Sequence, residues 1–376
     1  MTDQSQGFVF TPTPPQPPPA NTVGVVGWLR NNLFNGVFNT ILTVVSLFLL
    51  YLVLPPLIDW AIVSATISGT DRTQCEAAEA AGAGGACWTF IKVRFNQILF
   101  GFYPEGEQWR PVVTFLIGFA GIAATAFRFA GKRWLVLFLL TLYPILAFIL
   151  LSGGVLGLAE VETAKWGGLT VTLVVSVTGI VASFPIGIAL ALGRRSKMPI
   201  VKSACVVFIE VVRGVPLISV LFMASVMLPL FLPEGVTFNK LLRALVGVTL
   251  FTAAYMAEVV RGGLQAVPKG QYEGAAALGL GYWKMMILII LPQALKLVIP
   301  SIVNSFISLF KDTTLVYIVG LFDVLEIIRV STKDANWIGF EKEGYAFAAL
   351  MFWVFCFTMS RVSLRIEKRL DTSHRK

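Results

Sequence analysis

An all-α integral membrane protein with about eight transmembrane helices is the class this sequence predicts, and three observations carry that reading. Of its 376 residues 56% are hydrophobic and only 14% charged, proportions outside those of a soluble domain of this length. Apolar runs close to the ~20 residues a bilayer helix needs recur along the chain. Lysine and arginine gather in the short stretches between them, so the net charge of +9 reads as the positive-inside bias of a membrane protein. Lipid is therefore an expected partner, and nucleic acid is not.

Residues 1–35 carry TPTPPQPPPANT, which can neither hold a helix nor bury anything, and are read as a disordered, proline-rich cytoplasmic tail. They lack the basic start and short apolar core of a cleaved signal peptide. The first span is Phe38–Val63, with Pro55 and Pro56 expected to kink or end it near the far side. A polar loop, residues 64–110, precedes spans at Pro111–Phe127 and Trp134–Leu151. These three form an N-terminal extension, residues 36–160. Five more spans follow within residues 161–366: Gly167–Leu192, about Ala204–Leu232 with Pro216 and Pro229 inside, Leu241–Ala257, Leu295–Phe310 and Tyr345–Met359. A short basic tail, residues 367–376, closes the chain.

Eight spans place both termini on one side. The short loops at 128–133, 194–202 and 261–284, with Arg30 and the stretch from Arg361 to Lys376, hold 17 of the 30 lysines and arginines. That side is the cytoplasm. The 64–110 loop then faces the side opposite the cytoplasm.

The sequence also excludes chemistries. One histidine, His374, in the last residues offers no haem or zinc site, and no metal ligand set is expected. There is no G-x-x-x-x-G-K-[ST] phosphate loop, so any ATP that drives the protein binds to another chain. Cys205 and Cys356 lie in apolar runs and read as packing residues. Cys75 and Cys87 share the long polar loop, where a disulfide and two free thiols are equally open readings.

Glu258–Pro300 contains the one long polar interruption of the C-terminal half that looks built. Glu273 and Ala275–Leu278 favour helix, Gly279 and Gly281 break it, and Pro292 is expected to force a new helix start. Glu273-Gly274-Ala275, Gly279, Ile289 and Leu291-Pro292 fall at the spacing of the EAA loop, and so this stretch resembles the type I importer permeases of the ABC class. Gly274 departs from the usual alanine and loosens the first helix. Ala254–Glu258, Arg261-Gly262-Gly263, Gly270-Gln271, Pro292-Gln293-Ala294 and Lys311–Val316 are similar to the polar amino acid branch. The likeness spans roughly residues 167–366, and the three-helix start resembles in layout the M-type permease of the general L-amino-acid uptake system.

What the resemblance implies is a set of expectations. The cytoplasmic loop 259–292 docks into a groove of an ATPase subunit, with Gly270, Gln271, Glu273, Gly274, Ala275, Gly279, Ile289, Leu291 and Pro292 as coupling residues. The partners are two ATPase subunits, which carry the ATP and Mg, a second, paralogous permease subunit, and a periplasmic amino-acid-binding protein. This chain itself holds no cofactor and is no enzyme.

Charges inside the hydrocarbon are costly and hence functional suspects. Glu210 and Arg213, three apart, are expected to pair, either to set helix register or to serve the path or gate. Ser301, Asn304, Ser305, Ser308, Lys311 and Asp312 recur at helical spacing as a polar stripe, read as translocation path with interhelical hydrogen bonding as the plain alternative. Glu258 and Arg261 are expected where the sixth span leaves the membrane, as a joint between loop and helix. An ion-coupled secondary amino acid transporter is the rival reading. It explains the stripe but not the EAA loop, and the internal repeats such folds usually show are not evident here.

Overall fold

The computed structural model describes residues 24–370 except 83, 126, 128, 156, 232 and 234–237. Most of the expected N-terminal tail and the last six residues lie outside the described residues. Within the described part of that tail, Gly24–Asn32 is helix α1 rather than disordered chain.

The chain divides into two compact units, residues 1–66 with 75–86, and residues 67–74 with 87–376. In the first, α2 (Val37–Ile58) is so uniformly apolar that none of its residues is buried, as suits a helix solvated by lipid. Pro55 and Pro56 do not stop it. The helix passes through them, with Asp59 N donating to the Pro55 and Pro56 carbonyls, into a π-turn, Asp59–Val63, and ends with Ser64 N donating to Asp59 O at 2.8 Å. Helix α3 (Thr73–Ala80) follows.

The second unit begins with a feature that the polar composition of 64–110 concealed. That stretch is not an open loop, because α4 (Trp88–Phe100) occupies its second half with Thr89, Phe90, Ile91 and Ile98 buried. After α4 come α5 (Trp109–Ala124), α6 (Lys132–Leu140) and α7 (Leu142–Ser152). The expected third span is thus two helices bent by 46°. The expected second is only 16 residues, about 24 Å of helix against ~30 Å of hydrocarbon.

Helices α8 (Gly168–Arg194), α9 (Pro199–Gly214), α10 (Leu217–Val226) and α11 (Lys240–Ala266) follow. Then come α12 (Lys269–Ala277), α13 (Tyr282–Met285), α14 (Leu291–Asp312), α15 (Val324–Ser331) and α16 (Glu341–Leu370). The expected fifth span is broken at Val215-Pro216 into α9 and α10, which meet at 107°. Proline removes an N–H and bars its predecessor from helical geometry, so the break falls where the sequence puts it, but it is a corner rather than a kink. Among the described residues, five helices are long and apolar enough to cross a membrane, or seven with each bent pair as one span. The eighth expected crossing is the short α5.

Helix α11 is the post on which the second unit packs. Gly187 of α8 faces Met256 and the Ala253 carbonyl, and Gly263 faces the Ala294 carbonyl of α14 so closely that a side chain there has no room. Lipid offers no hydrophobic reward for helix association, so such backbone proximity supplies the packing. Two apolar clusters result, one around Val171, Leu221, Val248 and Leu309, the other around Ala191, Met256, Val260 and Ile290.

The end of α4 is locked to the start of α8. Gly101 bridges Trp166, and a Cβ on Gly101, which has φ +66°, would fall inside the backbone of Gly167. Phe102 N donates to Lys165 O at 3.1 Å, and Thr170 Oγ1 to Leu99 O at 3.1 Å. Beside this junction Asp323 caps α15, accepting from Leu325 N and Glu326 N at 3.1 Å each.

Two outcomes follow. Gly101→Ala forces two backbones apart and strains a positive φ, so the melting temperature of the detergent-solubilised protein falls, by the equivalent of ~2 kcal/mol or more. Burial raises the Asp323 carboxyl to about 6, despite the two N–H groups that favour its charged form. Its folded value therefore lies above the ~4 of an unfolded aspartate. The folded state holds the proton longer, so the contribution of this one group to stability is full below about pH 4 and is lost as pH rises through about 6. Asp323→Asn keeps the cap and removes that slope, which thermal unfolding from pH 4 to 8 reads directly.

Candidate functional site

The segment after α11 is a helical bend held by its own sequence. Pro268 opens α12, and at its far end Gly279 takes φ +70° while its N–H reaches Ala276 O at 2.9 Å and Leu280 N reaches Ala275 O at 3.3 Å. This left-handed glycine closure ends α12 as its sequence predicts. The expected restart at Pro292 does not occur. The helix that begins at Tyr282 runs unbroken to Val319, because Met286–Ile290 adopts a π-turn in which Leu291 N donates to Met286 O. A proline is tolerated where the turn before it is already widened.

Three side-chain contacts tie this bend to the bundle. Tyr272 Oη donates to Leu264 O at 2.8 Å, and Arg195 at the end of α8 donates to Tyr272 Oη at 3.1 Å. Gln293 of α14 donates to Gln271 Oε1 at 3.0 Å and to Ile289 O at 2.9 Å. Ala275 is buried, whereas Gly270, Gln271, Glu273, Gly274, Gly279 and Gly281 are exposed. Leu278 at 76% and Trp283 at 64% exposure flank the bend. Ile289 is half-buried and Leu291 and Pro292 continue the helix. The result is a rigid prow with apolar side chains and small residues on its outer surface, a shape suited to seating in a groove.

Glu258 and Arg261 pair with each other, whereas the expected Glu210–Arg213 pair does not form. Arg194 of α8, and not Arg213, pairs with Glu210 at 2.8 Å. Glu258 then draws three guanidiniums: Arg261 at 2.7 Å, Arg194 at 3.0 Å and Arg213 at 3.7 Å. Packing of α9 on α11 places Arg213 over the Tyr255 ring at 5.5 Å. Glu258 is 14% exposed against 54% for Glu210, so the stronger field belongs to Glu258 and collects the arginines. Glu258 and Arg261 lie on α11, which continues to Ala266.

The α14 stripe keeps its predicted face. Ser301, Asn304, Ser308 and Lys311 are exposed, Ser305 and Asp312 half-buried, while Ile302, Leu309 and Phe310 turn inward. Ser305 Oγ donates to Ser301 O at 3.0 Å, a local bond that leaves the rest of the stripe facing away from this chain. None of the hub's ion pairs among the described residues reaches the stripe. Cys75 and Cys87 are both disulfide-bonded, and Cys205 and Cys356 are free.

Sequence reasoning missed Arg194, Arg195, Tyr272 and Gln293 as members of the site. Arg194 and Arg195 stood in a basic run that orientation alone explained. Gln293 stood inside a quoted motif, and its place one residue after a helix-interior proline was the available signal.

Comparison with known proteins adds four findings. Residues 183–372 match the family model described as "Binding-protein-dependent transport system inner membrane component". The chain is 51% identical to the inner membrane amino-acid ABC transporter permease protein YhdY of Escherichia coli (strain K12), over 96% of each chain. It is 44% identical to the glutamate/glutamine/aspartate/asparagine transport system permease protein BztC of Rhodobacter capsulatus, over 96% of this chain and 97% of that one. A shorter relative, the probable glutamine ABC transporter permease protein GlnP of Bacillus subtilis, is 32% identical over 54% of this chain and 92% of its own.

Replacing the hub's carboxylate tests its structural weight. Glu258→Gln leaves Arg194, Arg213 and Arg261 facing a neutral amide, and the thermal stability of the purified protein falls by about 1–3 kcal/mol. Glu210→Gln, at the exposed edge, costs well under 1 kcal/mol.

Proposed function

The chain belongs to the family of binding-protein-dependent transport system inner membrane components, and from that premise we propose that it is a permease subunit of an ABC importer of polar L-amino acids. The observation that carries the reading is the exposed bend between α12 and α14, bound to α11 by Tyr272 and to α14 by the Gln271–Gln293 clasp. A bend so fixed moves with the helices it joins. ATP and Mg belong to two separate ATPase subunits, since this sequence has no phosphate loop. Closure of the ATPase pair swings both bends and, through α11 and α14, converts the bundle between inward-open and outward-open packings.

Two ATPase grooves require two bends, and one chain has one. A second, paralogous permease subunit supplies the other. The exposed α14 stripe supports this arrangement, since Ser301, Asn304, Ser308 and Lys311 need cover from lipid and face away from their own chain. The pathway then runs between the two permeases, where hydroxyl, amide and charged groups replace the water of a zwitterionic solute. A periplasmic amino-acid-binding protein delivers that solute. Counting α5 as a crossing, both termini and the bend lie in the cytoplasm of a bacterial inner membrane protein. The bonded Cys75 and Cys87 suit a segment on the oxidising side. Glu258 with its arginines, the proposed joint, keeps α8, α9 and α11 in register as the bundle moves. The family match leaves an ion-coupled mechanism without support.

Gly279 tests the lever. A Cβ there meets nothing within 4 Å, so the cost of a substitution lies chiefly in its φ of +70°, ~1–2 kcal/mol for an ordinary non-glycine residue and more for a β-branched one. Gly279→Val reshapes the bend without crowding it. Reconstituted uptake and transport-coupled ATP hydrolysis fall about tenfold, while membrane insertion persists. Undiminished uptake removes the coupling assignment.

A further inference from the structure

Helix α16 is longer than the bilayer it crosses, and its surplus is basic on one side. Its 30 residues span ~45 Å against ~30 Å of hydrocarbon. Counted from Gly344, just after Glu341-Lys342-Glu343, ~20 residues bring the hydrocarbon boundary to about Ser363. Contacts fix the bundle side of this helix: Phe352 and Phe355 pack against Phe310 of α14 with ring centroids 5.3 and 5.2 Å away, and Ser363 is buried. Leu350, Val354 and Phe357 lie on the opposite side and are exposed. With the same spacing of three and four residues that row continues into Arg361, Arg365 and Lys368, all exposed. One outward face therefore turns from apolar to basic where the helix leaves the hydrocarbon.

These cations differ from those of the hub. Arg194, Arg213 and Arg261 converge on Glu258, so their charge is answered inside the protein. Among the described residues, Arg361, Arg365 and Lys368 form no ion pair. Glu367, next to them in sequence, projects roughly 100° or more around the helix from each. Arg361 lies over the Phe357 ring at 4.9 Å, which holds its stem along the helix. We propose that Arg361, Arg365 and Lys368 form a docking surface for the headgroups of anionic phospholipids, with Leu350, Val354 and Phe357 lying along the acyl chains. Charge complementarity and continuity with the lipid-facing row identify the occupant. The guanidiniums offer paired N–H donors to phosphate, and Lys368 adds a point charge. An orientation signal needs only basic residues near the end of a span; here three of them share one face, turned away from the protein. The inference goes beyond the importer reading and holds whichever solute is carried.

The test takes the full-length protein, purified in uncharged detergent with its accompanying subunits, and follows its thermal shift on titration with phosphatidylglycerol or phosphatidylcholine. Phosphatidylglycerol acts at the lower concentration. Replacing Arg361, Arg365 and Lys368 together by Gln raises its half-saturating concentration at least about tenfold. Phosphatidylcholine and the melting temperature without lipid are unaffected, because all three side chains are exposed. Arg365→Gln alone gives about fivefold, so the reading survives poor folding of the triple variant. Arg365→Lys keeps most of the affinity, and Lys342→Gln at the other end of α16 changes nothing. Equal half-saturation in the unmodified and substituted proteins overturns the proposal. Equal protection by inorganic phosphate also overturns it, and assigns the cluster to a soluble anion. Loss of accompanying subunits from the triple variant, with the titration unchanged, overturns it as well and assigns the face to a protein partner. The importer reading stands or falls separately, on the Gly279→Val result.

Discussion

Backbone-to-backbone approach along α11 is the constraint on which the second unit rests. In water, helices associate because apolar faces leave the solvent; in lipid that gain vanishes, and contact must come from surfaces that fit. Gly187, Ala253 and Gly263 strip side chains from the α8 and α14 seams. The same closeness leaves no slack.

That stiffness gives the charged hub and the bend a common frame. Glu258 joins α8, α9 and α11 through guanidiniums from each, and two turns further on Leu264 accepts the Tyr272 hydroxyl of α12. Arg195, next to the hub's Arg194, reaches the same hydroxyl. The end of α8, the end of α11 and the first helix of the bend are therefore one body. The π-turn at Met286–Ile290 is the one irregular stretch between the bend and α14, and it keeps that connection helical through Pro292.

The extension contributes on the opposite face. Its polar stretch folds into α4, which joins the core through Gly101 and Gly167 and through the aromatic group at Phe90, Trp337 and Phe340. Helix α2, with no buried residue, shows a different design within the same extension, a helix whose whole surface suits lipid. The two parts of the N-terminal region therefore differ in what covers them: α2 buries no residue, and α4 buries Thr89, Phe90, Ile91 and Ile98.

Composition and periodicity by themselves determined the membrane class, the long apolar helices, the glycine-closed bend at Gly279 and the polar face of α14, since each is a local consequence of residue type and spacing. Only the tertiary structure decided which charges meet. The i,i+3 rule paired Glu210 with Arg213 within α9, but packing of that helix against α8 and α11 gave Glu210 to Arg194, sixteen residues away in sequence, and Arg213 to Glu258. Nor did polarity disclose α4, whose buried face matches surfaces more than two hundred residues later in the chain, such as Asp334 opposite Arg94. Local rules describe what a segment favours alone; ion pairs and helix seams depend on distances that exist only after distant segments have packed.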